Sequence, residues 1–299
     1  MTDPETTRFA EAAAAEFEEL RPRLIGVAYG LLGTLAEAED AVQEAWIRLQ
    51  GSDLEAIRDL AGWLVTTTSR IALDMLRSAR TRREKYVGPW LPEPVESAPG
   101  PADSVSLADS VSWAMLVVLE TLSPAERAAF VLHDVFGLSF NEIGQALGRA
   151  PAACRKLASR AREHVEARQP RFDVDPEAHR EVVAAFGLAT ASGDLEGLLS
   201  LLDPDAVLIS DGGGVTQAVP SPIHGALEIA KFFAGVGASR LGLTQRSSTV
   251  NGSPALLIFE QGQISSVLAL GIHHGRITTI DAIRNPHKFH GLRTLTPGD

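Results

Sequence analysis

Apolar residues recur every third or fourth position through the first 168 residues, and after that the pattern shortens towards alternation. Phe17, Leu20, Leu24, Val27 and Leu31 share one helical face until Gly33 stops the run. Thr34 and Glu37 have the spacing of a capping box. Leu35, Ala38, Val42, Ala45, Trp46 and Leu49 then form the inward stripe of a second helix. After a loop at 51–53, a long helix is predicted over about 60–85, with Leu64, Ile71 and Met75 facing inward. Ser123 and Glu126 open a further helix as a capping box, and Ser139 and Glu142 open another. That last helix carries Phe140, Ile143, Gly144 and Leu147 on one stripe. Gly148-Arg149-Ala150 breaks it, and Pro151 suits the first position of the next helix, where its missing N–H is no loss. There Cys154, Leu157, Ala161 and Val165 point inward.

From 176 onward the texture changes. Helices are expected at 179–192, 195–202 and 225–234. Alternating segments at 206–210, 243–250, 255–260, 263–271 and 276–283 read as strands, with Asn251-Gly252 marking a hairpin. Helices followed by a meander predict an α+β domain. The pattern as a whole predicts a multidomain chain: an all-α domain over 1–87, a linker over 88–107, a second all-α domain over 108–168, a short linker over 169–175, and the α+β domain over 176–299. The stretch 88–103 holds five prolines, so it is expected to be an extended, semi-rigid spacer. Trp90 and Leu91 have no local core within it, and docking on another domain is favoured over exposure.

Charge sharpens this picture. The net charge is −11, which by itself argues against nucleic acid. Its distribution argues for it. Residues 1–69 carry 5 basic and 13 acidic side chains, and 70–88 carry 6 and 2. Residues 89–148 carry 1 and 8, and 149–169 return to 6 and 2. Two basic islands in an acidic chain suit two phosphate-contacting surfaces. The second island lies on the second helix of a helix-turn-helix, the element that fits a major groove. Ala152, Arg155, Lys156, Ser159, Arg160 and Arg162 occupy its outward faces. The first island follows Trp63, Thr66, Thr67 and Ser69, and charge beside an aromatic and hydroxyls suits DNA that is being opened. A single cysteine, Cys154, excludes an internal disulfide and fits a reducing compartment. Neither a signal peptide nor an apolar run of 18 residues is present, so a cytoplasmic protein is expected.

The segments DAVQEAWIRL (40–49) and GWLVTTTSRIALDMLRSARTRRE (62–84) resemble region 2 of a bacterial sigma factor. The segment LSPAERAAFVLHDVFGLSFNEIGQALGRAPAACRKLASRARE (122–163) resembles region 4. With no region 3 between them, the chain is similar to the extracytoplasmic-function class of the sigma-70 family. WLPEP, DGGG (211–214) and NPHKF (285–289) resemble the marks of the subgroup with a C-terminal SnoaL-like (NTF2-like) domain, a curved sheet around helices with an apolar pocket.

The resemblance implies roles. Glu37, Asp40, Gln43, Glu44 and Arg48 would bind the β′ clamp helices of core RNA polymerase, with acidic charge suited to a basic partner. Trp63, Thr67, Arg70, Arg77 and Arg80 would recognise and melt the −10 element, and the 151–162 helix would enter the major groove at −35. Arg70 stands where most of the class has Asn, and Ala150 where most have Ser or Thr. Phosphate contacts at the start of the recognition helix then fall to Arg155, Arg160 and backbone N–H groups. Trp90, Leu91, Asp211, Gly212, Gly213, Gly214, Asn285, Pro286, Lys288 and Phe289 would form regulatory contacts, bringing the three motifs together. No catalysis, cofactor or metal is expected. A small molecule in the C-terminal cone is a candidate further partner.

Two other readings compete. A ligand-responsive helix-turn-helix regulator acting without polymerase has no use for the acidic-faced helix at 35–50. An enzyme-like cone tethered to DNA would draw its acid or base from Asp211, His224, His273, His274, Asp281 or His287.

Overall fold

A computed structural model describes residues 4–83, 85–97, 111–168, 176–239 and 243–292. The expected linker at 169–175 lies outside them, as do residues 98–107 of the linker expected at 88–107. The chain divides into two compact units. One comprises residues 1–82, 100–111 and 115–168; the other comprises 83–99, 112–114 and 169–299.

The first unit is helical. Helices α1 (Pro4–Leu32) and α2 (Leu35–Gln50) pack as a hairpin, with Phe17 and Trp46 rings 4.7 Å apart. Helix α3 follows (Leu60–Arg83). The spacing of Thr34 and Glu37 does not produce a capping box. The Thr34 hydroxyl donates to the Glu37 carboxylate at 2.9 Å instead of accepting a backbone N–H. Helix α4 (Trp113–Leu119), whose first two residues belong to the second unit, leads into α5 (Pro124–Phe130), where Ser123 and Glu126 form a complete capping box. The buried Arg127 of α5 donates through Nε to the Gly30 carbonyl of α1 at 3.1 Å and pairs with Glu120.

Helix α6 (Phe140–Leu147) and helix α7 (Pro151–Arg168) complete the unit as the helix-turn-helix. Ser139 and Glu142 close the capping box at its start. Gly148 sits at φ 63° and terminates α6 in the left-handed conformation that glycine adopts without strain. The buried stripe of α7 is Cys154, Ala158, Ala161 and Val165, while Leu157 is only half-buried. With ~3.6 residues per turn, Ala158 lies nearer the direction shared by Cys154, Ala161 and Val165 than Leu157 does.

In the second unit, α8 (Pro176–Ser192), α9 (Leu195–Leu201) and α10 (Ala226–Ser239) back a six-stranded sheet. Its strands are β1 (Leu202–Asp211), β2 (Ile223–His224), β3 (Leu243–Val250), β4 (Ser253–Glu260), β5 (Gln263–His273) and β6 (Arg276–Ile283). The order is β2-β1-β6-β5-β4-β3, with β1 and β6 parallel and the other pairs antiparallel. Alternation puts Leu208, Leu256, Leu268, Leu270, Ile280 and Ala282 into one core with Phe186 and Phe233 of the helices. This is the expected α+β architecture.

Residues 83–97 belong to this second unit and form a strap along its sheet. Val95 and Asn251 exchange backbone and side-chain hydrogen bonds, with Val95 N–H donating to Asn251 Oδ1 at 3.0 Å and Asn251 N–H to Val95 O at 2.9 Å. Glu96 bridges Val250 and pairs with Arg246 of β3 at 2.7 Å. The proline density that predicts an extended segment therefore describes the strap's conformation, but the segment is docked.

Candidate promoter interface and strap latch

The outward face of α2 is built as expected. Asp40, Gln43 and Arg48 are exposed, Glu37 and Glu44 are half-buried, and Arg48 pairs with Glu44 at 2.9 Å. Ile47 lies on the same helix at 53% exposure, an exposed apolar residue that is not among the expected polymerase-binding residues. It is visible in the sequence as a large aliphatic residue one position off the inward stripe.

On α3 the expected −10 residues fare differently. Trp63 is half-buried, and Arg77 is exposed and paired with Asp74 at 3.0 Å. Thr67 is buried, 9% exposed, so its hydroxyl does not face solvent in this arrangement. Arg70 is exposed, but its guanidinium donates to the Gln145 carbonyl in the last turn of α6, from Nε at 3.2 Å and Nη2 at 2.7 Å. That carbonyl lies at the negative end of the α6 dipole, a favourable place for a cation. The backbone of Arg80 lies in α3, and its side chain is outside the described residues.

On α7, Ala152, Arg155, Lys156, Ser159 and Arg160 are all exposed on the outward faces. The Arg155 guanidinium lies 5.5 Å from the Phe140 ring, which holds it over the start of the motif. Arg162 differs: it is half-buried, and its Nε donates to Asp134 at 2.7 Å. Its charge is spent within the motif.

The three subgroup motifs meet inside the second unit, at Asp211. This carboxylate is fully buried and accepts from Tyr86 Oη at 2.6 Å, Leu91 N–H at 2.9 Å, Lys288 Nζ at 2.6 Å and Gly213 N–H at 3.1 Å. Lys288, itself 5% exposed, also donates to the Leu91 carbonyl and sits 4.0 Å from the Trp90 ring centre. Arg83 stacks on the same ring at 3.5 Å. Leu91 is buried, and Trp90 is half-buried. Asn285 donates to Tyr86 Oη at 2.9 Å, and its Oδ1 accepts from His287 N–H, so the 3₁₀ turn Pro286–Lys288 aims Lys288 inward. Pro286 starts that turn, and Phe289 caps it half-buried.

The glycines are required by contact as well as by φ. A Cβ on Gly212 would lie 2.3 Å from the Thr216 carbonyl, and one on Gly213 would lie 2.3 Å from Asn285 Nδ2. Gly213 and Gly214 have φ of 59° and 73°. Gly214 abuts Val87 of the strap. A buried, multiply donated carboxylate with a buried lysine is a pair whose loss of either partner is severely destabilising.

Tyr86 was not singled out from the sequence. Its burial and its bond to Asp211 push its hydroxyl well above the ordinary phenol range. Its signal was slight: one of two tyrosines in the chain, four residues before Trp90. Trp113 was missed too, and its indole N–H donates to the buried Asp281 at 2.8 Å. Among the proposed acid–base candidates, Asp211 and Asp281 are thus both engaged by partners from outside the sheet. His224, His274 and His287 are not buried, and His273 stacks against His274 at 3.9 Å.

A helix-turn-helix with an exposed basic face, a second basic helix preceded by a helix with an acidic face, and a sheet domain clasping the segment that follows it define a multidomain DNA-binding protein. The comparisons agree. Residues 17–82 match the model for Sigma-70 region 2, and residues 112–165 that for Sigma-70 region 4. The ECF RNA polymerase sigma factor SigJ of Mycobacterium tuberculosis is 40% identical over 292 residues, 93% of both chains. The probable ECF RNA polymerase sigma factor SigI of the same species is 36% identical over 302 residues, 96% of this chain and 98% of its own. The crystal structure of SigJ superposes with a TM-score of 0.73 at 34% identity, covering 94% of this chain and all of that one. The chain belongs to the extracytoplasmic-function sigma factors of the sigma-70 family. Among the described residues, no helix is long and apolar enough to cross a membrane.

Proposed function

We propose that this protein directs core RNA polymerase to its promoters, and that its C-terminal unit controls that activity in cis through the latch at Asp211. The α2 face, with its acidic residues and the exposed Ile47, is the polymerase-docking surface, and its composition suits a basic helical partner. The α3 residues Trp63, Arg70 and Arg77 read and open −10, and Ala152, Arg155, Lys156, Ser159 and Arg160 of α7 read −35. The observation that carries regulation in cis is the convergence of Tyr86, Leu91 and Lys288 on one buried carboxylate. Residues 83–99 belong to the only covalent connection between the two promoter-reading modules. Holding that connection on the sheet sets how much of it is available to span a promoter. The C-terminal unit thereby takes the place of a separate regulatory protein.

The test is transcription in vitro with core polymerase, comparing the full chain, a chain ending at Gln169 and a chain ending before Asn285. Promoter-specific initiation is expected, with output differing several-fold among the three. If none of the three directs promoter-specific initiation, the sigma reading fails. Equal output from the full chain and the Gln169 truncation defeats regulation in cis alone.

A further inference from the structure

The second unit encloses a cavity of about 280 Å³ between the sheet and α10. That size is near the lower end of the ~300–1,000 Å³ usual for small-molecule sites. Leu208, Phe232, Phe233, Val236, Ile258 and Leu268 make its wall apolar. Its polar lining is Thr190, Ser210, Gln217, Ser266 and Arg284, and among the described residues lining it Arg284 is the one charged group. Among the described residues no carboxylate lines it. An apolar wall with a single cationic group among its described residues suits a small amphipathic anion.

The cavity and the latch share their framework. Ser210 lines the cavity, and its neighbour Asp211 receives the latch, because successive strand residues point to opposite faces. On the parallel partner strand Ala282 lines the cavity and is paired in register with Ser210. Arg284 lines the cavity while the next residue, Asn285, holds Tyr86. The Asp211 carbonyl ties the two together, accepting from Arg284 N–H at 2.7 Å and Asn285 N–H at 3.0 Å. The DGGG loop makes a second link. Gly212 abuts Thr216 and Ala218, Gly213 abuts Asn285 and Tyr86, and Gln217 and Ala218 continue into the cavity wall. Arg284 donates to the Gln217 carbonyl, which pins that wall.

We infer that this cavity is the sensory site for a small amphipathic carboxylate whose head displaces Gln217 from Arg284 and so loosens the latch on the opposite face. The inference rests on the reading that the latch controls activity, but its own test is binding. The carboxylate draws Arg284 away from the Gln217 carbonyl, residues 216–218 shift, and Gly212–Gly213 can no longer hold Asn285 and Tyr86 in register. A ligand can bias the latch only by binding its two states differently, and the Arg284 exchange supplies that difference.

Octanoate is the probe, titrated calorimetrically into the full chain beside octanol and octyltrimethylammonium, which keep the tail and change the head. Octanoate is expected to bind about tenfold tighter than octanol, as a charge-assisted pair requires. Arg284→Gln should abolish that preference, Arg284→Lys should restore part of it, and Ala282→Leu should weaken the tail's binding by filling the cavity. Hydrogen exchange of the Leu91 and Gly213 amides is expected to quicken about threefold or more with octanoate bound, as local opening becomes easier. Equal binding of octanoate and octanol, no binding by either, or octanoate binding that leaves both amides unchanged overturns the inference. None of these outcomes touches the transcription comparison, which decides regulation in cis separately.

Discussion

Asp281 shows how one buried carboxylate can make a domain pH-sensitive without taking part in chemistry. Burial raises its pKa to about 6, and the Trp113 indole N–H opposes that by stabilising the charged form. The unfolded chain releases this proton near pH 3.8, its ordinary value, and the folded chain only near 6. Between those values the native state holds more protons, so stability falls as pH rises through that window. A shift of this size corresponds to about 3 kcal/mol. Asp281→Asn keeps an oxygen for Trp113 and removes the titration. Urea midpoints at pH 4.5 and 7.5 should therefore separate the variant from the parent much more at the higher pH, in the variant's favour. Parallel shifts at both pH values would show that Asp281 does not titrate in this window. The same logic places Lys288 and Asp211 apart from surface pairs: each is at most 5% exposed, and each has further partners that fix its geometry.

At the level of elements, the helix-turn-helix turn is the part most tightly constrained by sequence. A Cβ on Gly144 would lie 2.7 Å from the Arg149 carbonyl, a backbone atom that cannot move without moving the entry of α7. The Arg149 N–H bonds back to the Gly144 carbonyl at 3.0 Å, so the same two residues fix the turn from both sides. Gly144→Ala is expected to destabilise the first unit by about 1–3 kcal/mol, as overpacking does. Binding to a −35 duplex should fall with it, since α7 is re-aimed. Wild-type values of both the urea midpoint and the duplex affinity would refute this account of the turn. The capping boxes at Ser123 and Ser139 were legible because each is a local spacing rule. Thr34 shows the limit of such a rule, because hydroxyl and carboxylate can satisfy each other and leave the backbone out. The sheet domain was legible in its order of elements and in its hairpin. The role of Asn251 was not, since its turn conformation at φ 48° is local while its bonds to Val95 span 156 residues. The three short motifs were legible only by resemblance. Nothing in their spacing says that a tyrosine and a lysine 202 positions apart will meet one aspartate.

At the scale of the whole sigma fold, Arg70 sets the sharpest constraint. Its Nη2 lies 2.7 Å from the Gln145 carbonyl, so a side chain expected at −10 touches the first helix of the motif expected at −35. Elements named for positions −10 and −35 lie about 25 base pairs apart, roughly 85 Å along a duplex that rises ~3.4 Å per base pair. One arrangement cannot satisfy both. On the proposed assignment of α3 to −10 and α7 to −35, this arrangement is a closed form, and engaging a promoter separates α3 from α6 and breaks the Arg70 contact. That contact is exposed, so water can replace it cheaply, and on the proposed reading the opening free energy comes from polymerase binding at α2 and phosphate contacts at α7. The prediction is a change in distance between dyes on Ser78→Cys in α3 and Glu163→Cys in α7, in a chain whose buried Cys154 is replaced by Ala. Energy transfer should be high in the free protein and drop to near zero in the promoter-bound holoenzyme. Arg70→Ala should lower it in the free protein by favouring the open form. Transfer that stays high on the promoter complex would mean that the closed arrangement is the working one, and that the two basic islands do not read separate elements.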